Sequence, residues 1–510
     1  MRSWGARAAT AAATVVAAVA VHDLRQRRHA ILRNFPVLGH FRFWLEAIGP
    51  ELRQYIVTDN DQERPFNRDE RRWIYTSSKG ENNLSGFGSD DNLEQAEEYL
   101  IVKHVAFPAP PSPGCPEAAV VPAAKVLGAT HGRAKAFRPA SMVNISAMSF
   151  GSLSGPAVEA LNRGAAAAGC LHTTGEGGIS EHHLHGGELI WQIGTGYFGC
   201  RTQDGDFDLA RAVDQAAAAP VRAIEIKLSQ GAKAGLGGVV PGVKVTPEIA
   251  AIRGVPVGED CISPPRHRAF GDVDGLIDFV ETLAGATGLP VGIKSAVGEQ
   301  PFWEDLADRM VTRGAGPDFV TVDGGEGGSG AAPLVFADHV SLPFRAAFPR
   351  VYRTFAERGL HEDLVFIGSG KLGLPDTALL AMGLGCDLVN VGREAMLSIG
   401  CIQAQRCHTG RCPTGVATQS PWLTGGLDPT LKSVRSAAYL VALRSELARL
   451  AGVCGHRHPG LVDLDCFELV DHGRDARPAR EVYDYEPGWG VPSLADQAAL
   501  AVIQEDARVP

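Results

Sequence analysis

The run Phe319-Val-Thr-Val322 passes directly into Asp323-Gly-Gly-Glu326-Gly-Gly-Ser329-Gly330. Its apolar and β-branched residues predict a strand buried on both faces. The glycines that follow predict a loop whose backbone can approach a ligand closely. A buried strand with such a loop at its carboxyl end is typical of parallel α/β folds, so we expect the chemistry to lie at the strand ends.

The same pattern recurs along the chain. We predict eight strands, at residues 143–148, 171–174, 189–193, 223–228, 291–294, 319–322, 364–367 and 388–391. Helical patterns lie between them, among others at 155–168, 207–218, 273–286 and 377–382. Eight such units predict an α/β fold, a closed (β/α)8 TIM barrel with a small N-terminal helical extension. A doubly wound open sheet is the alternative, but no Gly-x-Gly-x-x-Gly follows an early strand with an acidic residue about 20 positions on.

Composition divides the chain into four segments. Residues 1–30 are expected to form a membrane anchor or an N-terminal tail, 31–115 a cap and linker, 116–475 the barrel, and 476–510 a C-terminal tail. The linker prediction rests on the Pro-rich stretch 108–116. The uncharged stretch 8–21 is short for a membrane span, which needs about 20 apolar residues. If it inserts, the arginines after it keep the remaining chain at the cytoplasmic face, so a cytoplasmic protein is expected, free or anchored.

Charge and cysteine content exclude two classes of protein. The net charge is −10 with no long basic run, which argues against a nucleic-acid partner. Ten cysteines in 510 residues, only three of them closely spaced, are too few for a disulfide scaffold. They predict a reduced compartment and one metal site.

The three closely spaced cysteines are Cys401, Cys407 and Cys412, and Pro413 follows the last one. Thiolates are soft ligands that hold iron–sulfur clusters, and three of them fall one short of the set for a four-iron cubane. We therefore predict a three-iron [3Fe-4S] cluster. Zinc with His408 as an additional ligand, or a chance grouping of cysteines, remains an alternative.

Two glycine loops follow the last two predicted strands, Gly368-Ser369-Gly370-Lys371 and Gly392-Arg393. Free backbone N–H groups beside a cation suit a phosphate, and barrels commonly bind phosphate in these two loops. A cofactor that carries phosphate is therefore expected.

Several longer motifs occur in a fixed order: Ser146-Ala-Met-Ser-Phe-Gly-Ser-Leu-Ser154, Thr174-Gly-Glu-Gly-Gly178, Ile224-Glu-Ile-Lys-Leu-Ser-Gln-Gly-Ala-Lys233, Ile262-Ser-Pro-Pro-Arg-His267 and Gly327-Gly-Ser-Gly-Ala-Ala-Pro333. With the cysteine run, they resemble the FMN-binding synthase domain of glutamate synthases over roughly residues 120–470. The resemblance implies FMN at the barrel mouth, a [3Fe-4S] cluster on the three cysteines, and reduction of an imine of 2-oxoglutarate and ammonia to L-glutamate.

The resemblance also implies residue roles. The FMN contacts would be Met148, Ser149, Gln192, Lys294, Gly328, Gly368, Gly370, Gly392 and Arg393. The catalytic and substrate-binding set would be Lys227, Lys233, Arg253 and Glu176, since two carboxylates call for several cations. His267 would relay protons or serve as a satisfied structural histidine.

The chain departs from the family in two ways. Gly235-Leu236-Gly237-Gly238-Val239 stands where the family reads Gly-Glu-Gly-Gly-Gln, so the oxo acid is open. A glutaminase domain is missing, so nitrogen is expected as ammonia, as an amine, or from a separate glutaminase subunit. Electrons are expected from ferredoxin or a flavoprotein partner. Two other readings stay open: an N-alkyl amino acid synthase or dehydrogenase, and a membrane-tethered electron-transfer component.

Overall fold

The computed structural model describes residues 2–26, 29–58, 60–89, 91–109 and 121–506. The chain divides into two compact units, 1–69 and 70–510. The predicted boundary after residue 115 is therefore wrong. Residues 70–109 belong to the barrel unit because strand Tyr99–Val102 pairs with strand Phe467–Asp471. The linker predicted at 108–116 lies, from residue 110 onward, outside the described residues.

The described residues form thirteen strands. They are β1 (Tyr99–Val102), β2 (Val143–Ile145), β3 (His172–Thr173), β4 (Leu189–Ile193), β5 (Val221–Lys227), β6 (Val239–Val240), β7 (Cys261–Ile262), β8 (Val291–Ser295), β9 (Phe319–Asp323), β10 (Val365–Ser369), β11 (Leu388–Val391), β12 (Phe467–Asp471) and β13 (Asp475–Pro478). Eight of them close a barrel in the order β2-β3-β4-β5-β8-β9-β10-β11, and all their pairings are parallel. The TIM barrel and its eight predicted strands are confirmed.

Seventeen α-helices accompany these strands in the described part of the chain. They are α1 (Arg2–Arg25), α2 (Ala30–Asn34), α3 (Gly39–Leu52), α4 (Arg68–Lys79), α5 (Gly155–Ala168), α6 (Leu209–Ala218), α7 (Pro247–Arg253), α8 (Val273–Thr287), α9 (Pro301–Arg313), α10 (Leu334–His339), α11 (Phe344–Ala356), α12 (Pro375–Gly383), α13 (Arg393–Ser398), α14 (Pro421–Thr424), α15 (Pro429–Val453), α16 (Ala479–Tyr483) and α17 (Leu494–Asp506). The four predicted helices correspond to α5, α6, α8 and α12, and their ends agree within two residues.

The amino end of the barrel is sealed by the segment that precedes β2. Leu127 and Phe137 form an antiparallel bridge. Their side chains share one buried cluster with barrel residues such as Ile190, Phe319 and Leu388. Because this end is filled with apolar side chains, a ligand site must lie at the carboxyl ends of the strands.

The C-terminal segment is not a tail, as predicted, but part of the barrel unit. β13 pairs with β12, and Tyr485 is buried. The Tyr485 hydroxyl donates to the Leu384 carbonyl at 2.8 Å, and the Gly490 N–H donates to the Tyr352 hydroxyl at 2.8 Å. Burial of an aromatic ring with its polar group satisfied explains why this segment is held in place.

The N-terminal unit contains α1 to α3. Residues 5–25 of α1 are long and apolar enough to cross a membrane by length and composition, with a mean hydropathy of 1.3 and no buried residue in the most apolar window. A signal sequence near an N-terminus passes the same test.

Candidate active site

The predicted site residues gather at the carboxyl end of the barrel. Lys227 is the last residue of β5, and Lys294 lies at the end of β8. Glu176 follows β3, and Lys233 lies in a 3-10 turn after β5. These charged side chains are largely enclosed, which costs free energy unless each of them has a partner.

Glu176 is the centre of this charge cluster. Its Oε1 lies 2.9 Å from the Lys227 ammonium, which also donates to Gln230 Oε1 at 3.1 Å. Burial would raise the pKa of Glu176, but the positive charges of Lys227, Lys233 and Arg253 outweigh it and hold that pKa at about 2. The carboxylate therefore stays ionised at physiological pH.

Two glycines lie so near this carboxylate that neither position has room for a side chain. A Cβ at Gly194 would lie 2.7 Å from Glu176 Oε2, and a Cβ at Gly238 would collide with Glu176 Oε1. Gly238 directly precedes Val239, which opens β6 and pairs with Ile262 of β7. The loop that departs from the family pattern therefore borders the charge cluster.

Lys233 is the second cation of the cluster. It is buried, and burial lowers its pKa to about 8, although Glu176 acts in the opposite direction. Its ammonium is therefore charged at neutral pH and loses its proton within the range of ordinary assays.

Arg253 ends α7 and is already engaged by the protein. Its Nη2 donates to the Phe150 carbonyl at 2.9 Å, and its Nη1 approaches Cys261 Sγ at 3.8 Å. Its guanidinium lies 5.2 Å from the centre of the Phe198 ring. Arg253 thus holds the loop after β2 in place and adds positive potential at Glu176. Its contact with a substrate carboxylate stays a prediction.

Inside the barrel, a second buried network surrounds Lys294. Its ammonium lies 3.6 Å from Asp323 Oδ2. Burial alone would lower the pKa of Lys294, but Asp323, Glu225 and Glu176 raise it, so the side chain stays cationic. Gln192 Nε2 donates to Glu225 Oε2 at 2.5 Å.

Glu225 is a further residue of this network that was not among the predicted site residues. This buried carboxylate accepts hydrogen bonds from Gln192 and, at 2.7 Å, from the Thr321 hydroxyl. The signal was present, because a Glu inside the apolar strand Val221–Lys227 is costly unless it meets a polar site. Gln192 is buried in the barrel, and its amide nitrogen is held by Glu225. Its contact with the flavin edge stays a prediction.

The two predicted phosphate loops lie side by side with the glycine loop after β9. The half-buried Arg393 guanidinium donates to the Glu326 carbonyl, and a Cβ at Gly328 would lie 2.7 Å from Arg393 Cδ. At Gly392 a Cβ would meet nothing nearer than 3.7 Å, and Gly370 has a φ of +131°, which favours glycine.

Lys371 and Gly368 each have a structural partner within the protein. The Lys371 ammonium pairs with Glu70 at 2.7 Å, so the cation expected beside the phosphate is engaged elsewhere. A Cβ at Gly368 would lie 2.8 Å from the Leu372 side chain and 2.9 Å from Cys386 Sγ. Close core packing therefore explains this glycine.

Met148 and Ser149 connect the loops after β2 and β3. The Met148 N–H donates to the Thr173 carbonyl at 2.9 Å, and its own carbonyl is 3.0 Å from His183 Nε2. A Cβ at Gly175 would lie 2.7 Å from the Ser149 nitrogen. Only glycine permits this approach, which sets the two loops against each other at the barrel mouth.

The loop with Cys401, Cys407 and Cys412 follows α13. The Tyr75 hydroxyl donates to the Cys401 carbonyl at 2.8 Å. The buried Lys244 ammonium contacts the Ser152 carbonyl at 2.5 Å and the Cys407 carbonyl at 3.3 Å. Lys244 thus joins the cysteine loop to the loop after β2, a role that no local sequence signal revealed.

The three thiols of this loop do not form a compact group of ligand atoms. Within the described residues, Glu181, His182 and Glu248 are the one group of three His, Cys, Asp or Glu whose ligand atoms all lie within 4.8 Å of one another. The backbone of the cysteine loop is thus held by Tyr75 and Lys244, while its thiols are not drawn together into one ligand group.

His267 is a satisfied structural histidine. Its Nδ1 lies 3.1 Å from the Tyr197 hydroxyl, its Nε2 lies 2.9 Å from the Lys227 carbonyl, and its ring stacks on Phe270. Burial lowers the pKa of His267 to about 4, so the ring is neutral. It supports the backbone of Lys227.

The chain resembles known proteins over most of its length. The conserved region in glutamate synthase matches residues 122–457. The glutamate synthase large subunit-like protein YerD of Bacillus subtilis is 38% identical over 473 residues, which cover 86% of this chain and 89% of that protein. The archaeal glutamate synthase (NADPH) of Methanocaldococcus jannaschii is 37% identical over 317 residues, or 61% of this chain and 59% of that protein.

Solved structures are more distant. A mandelate oxidase variant with a monooxide FMN adduct aligns with a TM-score of 0.42 and 16% identity, over 82% of this chain and 96% of that chain. A likeness this loose carries no argument about function. The matched region, by contrast, contains the whole barrel together with the cysteine loop. The chain therefore belongs to the glutamate synthase family.

Proposed function

We propose that this protein is an oxidoreductase that uses FMN and a [3Fe-4S] cluster to reduce an imine of 2-oxoglutarate and ammonia to L-glutamate. The observation that carries the proposal is the buried cluster of Glu176, Lys227 and Lys233 at the barrel mouth. It combines a permanent carboxylate with two ammonium groups, which suits a substrate that joins carboxylates to a cationic nitrogen.

The residues at the barrel mouth fit FMN. A Cβ at Gly392 would meet only the Ser146 side chain, at an ordinary contact distance of 3.7 Å, and the half-buried Arg393 supplies a cation at the same point. Backbone N–H groups with a guanidinium are a suitable phosphate cradle. Lys294, charged at the end of β8, would face the flavin ring and stabilise its reduced anionic form.

The cysteine loop fits a three-iron cluster. It supplies three thiols, the soft ligands that iron–sulfur clusters need, and three is one short of the set for a four-iron cubane. The buried Lys244 adds positive charge beside Cys407, which compensates a thiolate-bound cluster.

Each side chain at the substrate site has a separate role in this proposal. Lys233 would bind a substrate carboxylate, and Lys227 would hold Glu176 in position. Glu176, ionised throughout the working pH range, would stabilise the positive nitrogen of ammonium and of the imine. Reduced FMN, when bound, supplies the hydride. Arg253 fixes the loop after β2 and adds positive potential.

Electrons and nitrogen have separate sources in this proposal. The relatives from Methanocaldococcus jannaschii and Thermotoga neapolitana are named for NADPH. This chain has no dinucleotide fingerprint after an early strand, so we infer that ferredoxin or a flavoprotein delivers electrons through the cluster. Nitrogen would arrive as ammonia, as an amine, or from a separate glutaminase subunit.

A second candidate keeps both cofactors and changes the substrate. Val239 and Leu236 replace polar family residues in the loop beside Glu176, where Gly238 touches the carboxylate. A less polar wall favours an oxo acid or an alkylamine with an apolar group, as in an N-alkyl amino acid synthase or dehydrogenase. The third candidate, a membrane-tethered electron-transfer component, would have no need of the charge cluster.

An anaerobic stopped-flow experiment tests the proposal. Protein with confirmed flavin and iron content is chemically reduced and then mixed with 2-oxoglutarate and ammonium. We expect flavin reoxidation with glutamate as product. Lys233→Ala should raise the KM for the oxo acid at least about tenfold, because a buried charged hydrogen bond is lost, while Lys135→Ala, an exposed lysine, should not.

Two results would contradict the proposal. Loaded protein that reoxidises only with other oxo acids or alkylamines would favour the second candidate. Purified protein that holds neither flavin nor iron would reject the cofactor assignment itself.

A further inference from the structure

The N-terminal unit carries an exposed apolar surface, which we call the α3 face. It consists of Phe35, Leu38, Phe41, Trp44 and Leu45, with exposed fractions of 60%, 76%, 61%, 57% and 41%. Four of these side chains line one open groove, and the rings of Phe41 and Trp44 stack at 5.8 Å. Single exposed apolar side chains are common on protein surfaces. A contiguous group of large ones indicates an interaction site.

The charge around this face is strongly positive. Residues 1–53, which include the whole groove, contain eight arginines and three acidic residues, Asp23, Glu46 and Glu51. Glu46 lines the groove and pairs with Arg42 at 3.0 Å. Both carboxylate oxygens of Asp23 have partners within the unit. Oδ2 accepts a hydrogen bond from the Val37 N–H at 2.9 Å, and Oδ1 lies 3.0 Å from His40 Nε2. An apolar face with a cationic margin complements an anionic lipid surface. A second copy of the chain would instead set arginine against arginine.

The position of Asp23 ties this face to α1. Asp23 lies in the last turn of α1, so its bonds to Val37 and His40 hold the start of α3 against the end of that helix. The apolar residues of α1, Val15 and Val16 among them, are also exposed. The one helix in the described chain that meets the length requirement for a bilayer thus ends where the α3 face begins.

We propose that the α3 face binds an anionic bilayer and lies in its headgroup region, beside the point where α1 enters. Trp44 favours this depth because its ring is apolar and its indole N–H is polar. Arg53 in the groove can extend to lipid phosphates, and Arg42 can do so when it exchanges Glu46 for a phosphate. A protein with one weak membrane-binding element needs a second one for stable attachment to a bilayer. An alanine-rich span and an amphipathic face supply these two elements together. This inference is independent of the proposed chemistry.

The test isolates the α3 face from α1 in the full-length protein. Val15→Arg with Val16→Arg puts charges into the exposed apolar helix, and flotation with vesicles then measures the remaining binding. We expect binding to phosphatidylcholine vesicles that contain phosphatidylglycerol, weaker binding at high salt, and little binding to phosphatidylcholine alone. Adding Trp44→Glu should weaken the binding at least about tenfold.

Trp422→Glu in the same background is the matched control, because Trp422 is an exposed tryptophan of the barrel unit. It should bind vesicles as its parent does. The proposal fails if the double-arginine protein does not float with anionic vesicles, or if Trp44→Glu and Trp422→Glu behave alike. It also fails if Trp44→Glu halves the mass measured by light scattering without changing flotation, since the face would then join two copies. Circular dichroism confirms that each variant is folded.

Discussion

At the scale of single residues, Lys233 sets the expected pH dependence of substrate binding. Burial lowers its pKa to about 8, so the ammonium is present below pH 8 and lost above it. Glu176, with a pKa of about 2, and His267, with a pKa of about 4, do not change charge in this range. We therefore expect the KM for the oxo acid to rise about tenfold per pH unit above pH 8.

Lys233→Arg is the control for this assignment. A guanidinium keeps its charge to much higher pH, so the rise in KM should move beyond pH 9 even if the variant is slower. A KM that rises above pH 8 equally in both proteins would assign the titration to the substrate ammonium or to another group.

The structural role of Lys244 could not be predicted from the sequence around it. It lies between two loops that are far apart along the chain, and its importance appears only in its contacts with the Ser152 and Cys407 carbonyls. Glu225, by contrast, could have been found, because a charge within a buried strand is itself a signal. The ion pairs of Lys227 and Lys371 also depend on tertiary neighbours that spacing does not encode.

At the scale of elements, the barrel strands were predictable because each is a short apolar run followed by glycine or a polar loop. The C-terminal segment was misjudged because strand β13 is polar and exposed, and its place depends on pairing with β12. The 25-residue helix α15 was not predicted, although it packs along α5, where Gly164 allows contact with Ser436.

The cysteine loop is held by an element outside it. The Tyr75 hydroxyl on α4 donates to the Cys401 carbonyl. Tyr75→Phe removes that bond at a cost of about 1 kcal/mol in local stability. We expect normal iron content after anaerobic purification but faster loss of iron and of visible absorbance in air.

Tyr99→Phe is the matched control for Tyr75→Phe, since the Tyr99 hydroxyl bonds to the exposed Asp91. It should lose iron at the rate of the unchanged protein. Equal rates in all three proteins would show that α4 does not hold the loop.

The C-terminal segment should contribute measurably to barrel stability through Tyr485. Its ring stacks on Tyr352 at 5.3 Å and its hydroxyl bonds to the Leu384 carbonyl. Tyr485→Phe leaves a buried carbonyl unsatisfied and should cost about 1–3 kcal/mol. Tyr485→Ala also loses the ring and should cost about 3–5 kcal/mol.

Urea denaturation followed by fluorescence measures both costs. Leu494→Ala, at an exposed position of the same segment, should change the free energy of unfolding by less than about 0.5 kcal/mol. If Tyr485→Ala matched Leu494→Ala, the segment would be a tail after all.

At the scale of the whole molecule, the two ends of the barrel have different tasks. Charged side chains cluster at the carboxyl end of the barrel. The amino end is filled by Leu127 and Phe137 and is stabilised by an ion-pair network. A substitution at the amino end of such a barrel can therefore lower its stability while the folded protein keeps its catalytic activity.

Arg133 is the centre of that network and tests the division of tasks. Its guanidinium donates to both Asp318 oxygens at 3.0 Å and to Glu281 at 2.7 and 2.8 Å. Asp318 precedes β9 and also accepts from the Val291 N–H at 2.7 Å, so the network joins the starts of two barrel strands. Arg133→Ala leaves a buried carboxylate with fewer partners and should cost about 3 kcal/mol.

The same substitution should leave kcat and KM unchanged at temperatures where the variant is folded, because Arg133 lies at the end opposite Glu176. Arg313→Ala is the matched control. It removes an arginine that pairs with Asp274 and Asp278 on the helical surface, and should cost less than about 1 kcal/mol. A raised KM in Arg133→Ala at full flavin content would mean that the amino end transmits strain through the strands to the substrate site, and the two ends would then act as one.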